Sequence, residues 1–108
     1  MTQADAPHRR IVVIGAGFSG LASAITLAQQ GHDVTVVEKH SMAGGRARVF
    51  EADGYRFDMG PSWYWMPDVI ENFFKRFDKN PSEYYDLIKL DPGFQIIFDT
   101  NHTIKINS

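Results

Sequence analysis

The amino-acid sequence predicts an α/β fold in which one β-α-β unit, incomplete as a sheet, is followed by a carboxy-terminal β-hairpin. Residues 10–15 read "RIVVIG", an apolar run of β-branched residues typical of a strand buried on both faces. Residues 33–38, "DVTVVE", have a similar composition, and a helical segment lies between the two runs. These observations predict two parallel strands joined by a right-handed crossover.

The helix between the strands is indicated by apolar side chains that recur at helical spacing. Leu21, Ile25 and Ala28 follow this spacing within "LASAITLAQQGH". Gly31 then favours a left-handed stop, because glycine adopts a positive φ at little steric cost. We therefore expect the helix to end near Gly31 and the chain to return to the sheet.

A second pair of extended segments is predicted after the β-α-β unit. "RARVF" and "GYRFD" flank Asp53 and Gly54, a dipeptide that favours a tight turn. The following "PSWYWMPD", residues 61–68, is bounded by prolines and is predicted to be a loop. Asp58 lies beside this loop, where we expect a structural carboxylate that accepts backbone N–H bonds rather than a catalytic base.

The last third of the chain contains one predicted helix and one predicted hairpin. Residues 66–77 show an amphipathic pattern, with Pro67 in the first turn. The apolar positions are Met66, Val69, Ile70, Phe73, Phe74 and Phe77. Residues 78–93 are polar, contain two prolines and are predicted to be mostly loop. "FQIIFDTNHTIKI" alternates apolar and polar residues around a turn in which Asp99 and Asn101 favour hairpin geometry.

Composition limits the function classes. The chain has 108 residues, 44% of them hydrophobic, which predicts one small domain with a real core. Its formal charge of −2 gives no electrostatic footprint for nucleic acid. It has no cysteine, its four histidines lack metal-ligand spacing, and no apolar run approaches a membrane span. We expect no metal site and a cytoplasmic protein, either free or peripheral to a membrane.

A glycine-rich loop is the strongest motif in the sequence. Gly15, Gly17 and Gly20 form G-x-G-x-x-G between the predicted strand and helix, as in Rossmann-like dinucleotide-binding units. Gly15 permits the tight turn, Gly17 admits a pyrophosphate, and Gly20 with Ala24 lets the helix pack closely on the strands. The predicted binding residues of this loop are Gly15, Ala16, Gly17, Ser19 and Gly20.

Glu38 ends the second predicted strand, where a carboxylate can accept hydrogen bonds from adenosine ribose hydroxyls. A carboxylate there also repels a 2′-phosphate, which argues against NADP and leaves NAD or FAD. The chain then reaches Gly44, Gly45 and Arg46 without room for another crossover helix. Two glycines allow the backbone to lie against a ligand, and Arg46 can offer charge to a pyrophosphate. This return path suits a long, extended cofactor.

These residues, together with "DMGPS" at 58–62, resemble the amino-terminal FAD-binding signature of the amine oxidase, carotenoid desaturase and GDI superfamily. The resemblance is close over residues 11–62. Within that group, "GGRARVFEADGYRFDMGPSWYWMPDVIENFF" and the later "YYDLIKLDPGFQIIF" are most similar to bacterial phytoene desaturases.

The resemblance implies FAD as the cofactor, with Glu38 on the ribose and Arg46 near the phosphates. It also implies that Gly60, Pro61 and Ser62 lie close to the flavin ring. A hydrophobic polyene substrate would reach the enzyme from a membrane, pass a hydride to flavin N5 and lose a proton from the neighbouring carbon. The resemblance assigns no catalytic residue within this chain.

Members of this family are several times longer, so we expect this chain to be an amino-terminal fragment that is inactive alone. In this interpretation residues 1–9 are a flexible amino terminus, residues 10–90 begin the FAD-binding domain, and residues 91–108 form a hairpin that starts a substrate domain. The aromatic residues Trp63, Tyr64 and Trp65 could equally be packed or touch a bilayer. A flavin amine oxidase and a non-catalytic, GDI-like binding module remain alternative functions.

Overall fold

The computed structural model describes residues 7–99 and 102–107. The chain divides into two compact units between Trp65 and Met66. The boundary expected between residues 90 and 91 concerns the domains of a larger protein and stays a prediction.

The first unit begins with the expected β-α-β arrangement. Strand β1 (Arg10–Ile14), helix α1 (Phe18–Gln29) and strand β2 (Asp33–Val37) follow one another, and the two strands pair in parallel. Gly31 has a φ of +88°, and its N–H donates to the Ala28 carbonyl at 2.9 Å. The predicted unit and its glycine stop are therefore confirmed.

The covered side of helix α1 does not coincide with the side that carries its periodic apolar residues. Ala24 is buried at 7% exposure and Leu21 is half-buried, whereas Ile25 is 44% exposed and Ala28 is exposed. Small residues lie on the covered side because Gly20 and Ala24 let the helix approach the strands closely. The apolar periodicity predicted the helix but not its packed face, whereas the close packing expected at Gly20 and Ala24 is found.

The rest of the first unit is a short hairpin. A 3₁₀ turn (Gly45–Ala47) precedes strands β3 (Val49–Ala52) and β4 (Tyr55–Asp58), which pair antiparallel. The connecting Asp53 and Gly54 have φ values of 51° and 81°, as a tight hairpin turn requires. The predicted extended segments and turn are confirmed. Within the described part of the chain, the Asp58 carboxylate accepts no backbone hydrogen bond, so the bonding expected there is absent.

The second unit contains helix α2 (Pro67–Lys75), a 3₁₀ turn (Pro81–Glu83) and the antiparallel strands β5 (Phe94–Ile97) and β6 (Thr103–Ile106). Pro67 occupies the first turn of α2, as predicted. The Phe74 ring contacts the Tyr84 ring with centroids 5.4 Å apart, which packs α2 on the 3₁₀ turn. In the last hairpin Asp99 accepts the His102 N–H at 2.9 Å, as turn chemistry predicts, and Asn101 lies outside the described residues.

The expectation of a substantial core is wrong. Ala16 and Ala24 are the only buried hydrophobic residues in the described part of the chain. Each of the described sheets has only two strands, too few to enclose a core of its own. On β1, Val12 is 62% exposed and Ile14 is 87% exposed, although the run of apolar residues predicted burial on both faces.

Neither a membrane span nor a metal cluster was found among the residues described. No helix there is both long and apolar enough to cross a bilayer. No group of three or more histidine, aspartate or glutamate side chains in the same ranges is arranged to hold a metal ion.

Candidate functional site

Three glycine-containing segments of the first unit surround one cleft of about 860 Å³. The first is the loop between β1 and α1, the second is the turn at 44–47, and the third follows β4 at 59–61. The residues that line the cleft are Ile14, Gly15, Gly17, Phe18, Ser19, Gly20, Gly44, Gly45, Arg46, Ala47, Met59, Gly60 and Pro61. Its volume lies within the range of roughly 300–1,000 Å³ that is typical of ligand sites.

The glycine loop presents the amino end of α1 to the cleft. Gly15 turns the chain with a φ of +100°, and its N–H donates to the Val37 carbonyl at 2.7 Å. Gly17 is the N-cap of α1 and no side chain caps the first turn, so its N–H groups keep their capacity to bind an anion. A Cβ on Gly20 would collide with the Gly15 carbonyl, so only glycine allows this close turn.

The second segment lies directly on the glycine loop. The Gly44 N–H donates to the Ala16 carbonyl at 2.8 Å, and Gly44 has a φ of +118°. A Cβ on Gly45, whose φ is +59°, would lie 3.0 Å from the Gly17 Cα. The sequence suggested that these glycines let the backbone approach a ligand, and the structure adds that they let it approach the loop.

Arg46 is the only charged residue among those that line the cleft. Within the described residues it forms no ion pair, so its guanidinium is available to an anionic ligand. Together with the unpaired amide groups at the start of α1, it gives the cleft a positive character suited to a pyrophosphate.

The third segment is anchored to the second. The Met59 N–H donates to the Arg48 carbonyl at 2.8 Å. Gly60 packs so closely on the carbonyl of Arg46 that a Cβ would overlap the oxygen. Gly60 and Pro61 line the cleft, whereas Ser62 is exposed and does not.

Glu38 lies just after β2 and bonds to the backbone instead of lining the cleft. Its Oε2 accepts the Ala16 N–H at 2.7 Å, and its Oε1 accepts the His40 N–H at 3.0 Å. Both bonds stabilise the charged form of the Glu38 carboxyl and therefore lower its pKa below the ordinary value, and the bond from Ala16 has the larger effect.

The structure gathers most of the predicted binding residues in one place. Nine of the twelve line the cleft, namely Gly15, Gly17, Ser19, Gly20, Gly44, Gly45, Arg46, Gly60 and Pro61. Ala16 is buried beneath it, Glu38 is bonded to Ala16, and Ser62 lies apart. Sequence reasoning missed Ile14, Phe18, Ala47 and Met59, whose only signal was their position next to a predicted residue.

The donor set fits a dinucleotide such as FAD. An uncapped helix start and one unpaired arginine would hold the pyrophosphate, and the glycines leave room for its approach. Apolar side chains of Ile14, Phe18 and Met59 complete the wall of the cleft.

The fold and this cleft define a dinucleotide-binding protein. The chain belongs to the NAD(P)-binding Rossmann-like domain family, which matches residues 13–77. It is also similar to carotenoid desaturases. The carotenoid 3,4-desaturase of Haloarcula japonica is 49% identical over 102 residues, which cover 94% of this chain and 21% of that protein. The phytoene desaturase of Phycomyces blakesleeanus is 38% identical over 103 residues, covering 95% of this chain and 18% of that protein.

One solved structure is also similar to this chain. An oxidoreductase from Methanosarcina mazei matches with a TM-score of 0.51 and 32% identity, over 65% of this chain and 17% of that one. The chain therefore spans about a fifth of the length of the curated relatives it matches. The resemblance to the desaturases that the sequence motifs suggested is confirmed.

Proposed function

We propose that this chain is the amino-terminal, FAD-binding part of a carotenoid desaturase, an oxidoreductase that acts on CH–CH bonds. The observation that carries the proposal is the 49% identity to a carotenoid 3,4-desaturase across 94% of the chain, including every segment of the cleft. Fold alone would not support an activity, because the Rossmann-like fold serves many functions.

FAD is the proposed cofactor, in preference to NADP. Glu38 follows β2, where its negative charge disfavours a 2′-phosphate on the ribose. Residues 44–46 return to the glycine loop and line the cleft, an arrangement that suits an extended dinucleotide. The name of the matched family includes both NAD and NADP, so this choice rests on Glu38 and on the desaturase relatives.

The proposed roles follow from the positions of the residues. The amide groups at the start of α1 and the Arg46 guanidinium bind the pyrophosphate, and Glu38 accepts ribose hydroxyls. Gly60, Pro61 and Ser62 are proposed to lie close to the flavin ring, and the first two also line the cleft. A bound flavin would supply the oxidising chemistry, namely acceptance of a hydride from a substrate C–H bond while a proton is lost from the neighbouring carbon. The chain itself orients the cofactor and contributes apolar side chains that exclude water.

A hydrophobic polyene is the proposed substrate class, because both curated relatives act on carotenoids or their precursor by name. The test is reduction of bound flavin in the full-length polypeptide that contains this chain, under anaerobic conditions. Phytoene is expected to bleach the flavin absorbance, and a primary amine is not. Bleaching by the amine alone would favour an amine oxidase, and failure to retain FAD would favour a GDI-like binding module.

The proposal that this chain is inactive without the rest of the full-length polypeptide has its own test. The 108 residues alone are expected to convert no phytoene, because they form so little of a buried core. Product formation by the purified chain, followed by chromatography, would contradict this. The intact mass of the protein from its natural source tests whether the chain is a fragment, and a mass far above that of 108 residues is expected.

Peripheral membrane contact is proposed through the aromatic loop at 63–65. The Trp63 and Trp65 rings stack with centroids 5.8 Å apart, and the two residues are 51% and 64% exposed. Exposed tryptophans favour the interfacial layer of a bilayer. In the full-length polypeptide, replacing both tryptophans by serine is expected to weaken co-sedimentation with liposomes. Tyr55→Ser, which removes another exposed aromatic side chain, is the control and should leave co-sedimentation unchanged. Unchanged co-sedimentation of the double variant would refute the contact.

A further inference from the structure

The Ala16 peptide group is held from both sides by distant parts of the chain. Its N–H donates to Glu38 Oε2 at 2.7 Å, and its carbonyl accepts the Gly44 N–H at 2.8 Å. Ala16 is also one of the two buried hydrophobic residues in the described ranges, at 5% exposure. The centre of the glycine loop is thus held by two backbone contacts to segments that are distant in the sequence.

We propose that Glu38 is a positioning residue, which holds the glycine loop in its cofactor-binding shape through the Ala16 N–H before the cofactor arrives. This role is separate from binding ribose hydroxyls. It rests on the proposed function only for the identity of the ligand, because the contacts themselves join residues of this chain.

The geometry allows one carboxylate to serve both roles. Each oxygen of Glu38 accepts one backbone N–H, from Ala16 or from His40. A carboxylate has about four lone-pair sites, so each oxygen can still accept a ribose hydroxyl. Hydrogen bonds to a charged acceptor are stronger than those between neutral groups, which makes this bond a firm link between the loop and the end of β2. A loop ordered in advance loses less entropy when it binds its ligand.

Glu38→Gln is the direct test, because the side chain keeps its shape while one acceptor oxygen becomes a donor amide. We expect the Ala16 amide of the ligand-free protein to exchange with deuterium at least about tenfold faster in this variant. The matched control is Glu51→Gln, which replaces an exposed glutamate of β3. Among the described residues Glu51 pairs with Arg56 alone, at 3.7 Å, and the variant should leave the exchange of the Ala16 amide unchanged. Equal exchange in the wild-type and Glu38→Gln proteins would overturn the proposal.

Ligand binding separates the positioning role from the ribose role. The two probes are ADP and 2′,3′-dideoxy-ADP, which lacks the hydroxyls that Glu38 could bind. If Glu38 only binds ribose, Glu38→Gln weakens ADP and leaves the affinity for the dideoxy compound unchanged, which overturns the inference. If Glu38 also positions the loop, the variant weakens both probes, even though it removes a negative charge near an anionic ligand.

A measurement on the unmodified protein covers the case in which Glu38→Gln does not fold. Acid titration followed by NMR records the Glu38 carboxyl carbon and the Ala16 amide proton together. A shared midpoint is expected if the two are hydrogen bonded, and independent midpoints would overturn the proposal. His40 also lies near Glu38, so its ring resonances are recorded in the same spectra.

Discussion

Gly17 and Gly60 line the same cleft, yet an added methyl group would meet different surroundings at the two positions. At Gly17 a Cβ would have only the Gly45 Cα near it, at the ordinary contact distance of 3.7 Å, and the φ of −80° suits any residue. At Gly60 the Cβ would overlap the Arg46 carbonyl oxygen. The first glycine is therefore available to a ligand, and the second is required by the fold.

Gly17→Ala and Gly60→Ala are expected to separate these two requirements. Gly60→Ala should lower the free energy of unfolding by about 1–3 kcal/mol, since the backbone must move to relieve the overlap. Gly17→Ala should change it by less than about 1 kcal/mol but weaken FAD binding at least about tenfold, because the methyl group obstructs the pyrophosphate. Urea denaturation and flavin titration measure the two effects. Equal losses of stability in both variants would contradict this distinction.

The Glu38 carboxylate makes the first unit sensitive to acid. Backbone hydrogen bonds from Ala16 and then His40 hold its pKa below the ordinary value of 4.5 in the folded chain. Because the folded pKa is the lower one, the stabilisation is complete above the unfolded value and is lost as the pH falls through the folded one.

We therefore expect stability to decline below about pH 4.5, and part of this decline to disappear in Glu38→Gln. Urea midpoints measured between neutral and acidic pH provide the test. Glu51→Gln is the control, because its side chain is exposed and is bonded to no backbone amide in the described ranges. A pH dependence of Glu38→Gln that matches the wild type would show that another group is responsible.

At the scale of elements, the β3–β4 hairpin depends on two residues with positive φ. Asp53 and Gly54 have φ values of 51° and 81°, and the four residue pairs of the hairpin run from Val49 with Asp58 to Ala52 with Tyr55. Aspartate and asparagine tolerate the left-handed region, whereas most residues with a Cβ are strained there. The hairpin matters to the site because β4 leads directly into Met59 and Gly60.

Gly54→Ala is expected to destabilise the first unit by about 1–2 kcal/mol, although no atom lies within 4 Å of the added Cβ. The cost is conformational, because alanine must adopt the left-handed region. Asp53→Asn is the matched control and should be nearly neutral, since asparagine also favours this turn. Thermal unfolding of both variants tests the prediction, and a neutral Gly54→Ala would mean that the turn changes type without cost.

At the scale of the whole molecule, one face of the β1–β2 sheet lacks a covering layer. Val12, Ile14 and Val37 are 62%, 87% and 43% exposed on this face, whereas Val13 on the other face is half-buried beneath α1. Apolar faces and free strand edges of this kind favour association. We expect the chain alone to self-associate as its concentration rises.

Two threonine variants test this expectation. Val12→Thr combined with Ile14→Thr should reduce self-association in analytical ultracentrifugation with little loss of stability, because both side chains already face solvent. Val13→Thr should instead destabilise the fold by about 1–3 kcal/mol, because it places a hydroxyl beneath the helix. Unchanged association in the double variant would assign the interaction to another surface.

The order of strands and helices was predictable from the sequence because their signals are local. β-branched runs, the glycine stop at Gly31 and the turn at Asp53 and Gly54 act on neighbouring backbone dihedral angles, so each can be read without knowledge of the fold. The motif of the candidate site was recognisable for the same reason, since a glycine loop between a strand and a helix has few alternative uses.

Contacts between distant residues were decided only by the tertiary structure. The sequence could not show that Gly45 lies on Gly17 or that Glu38 bonds to the Ala16 amide. These contacts depend on how closely separate segments can approach, which is a property of the assembled backbone. Local patterns therefore determined which elements form and what they can bind, and close packing between segments decided how the site is held together.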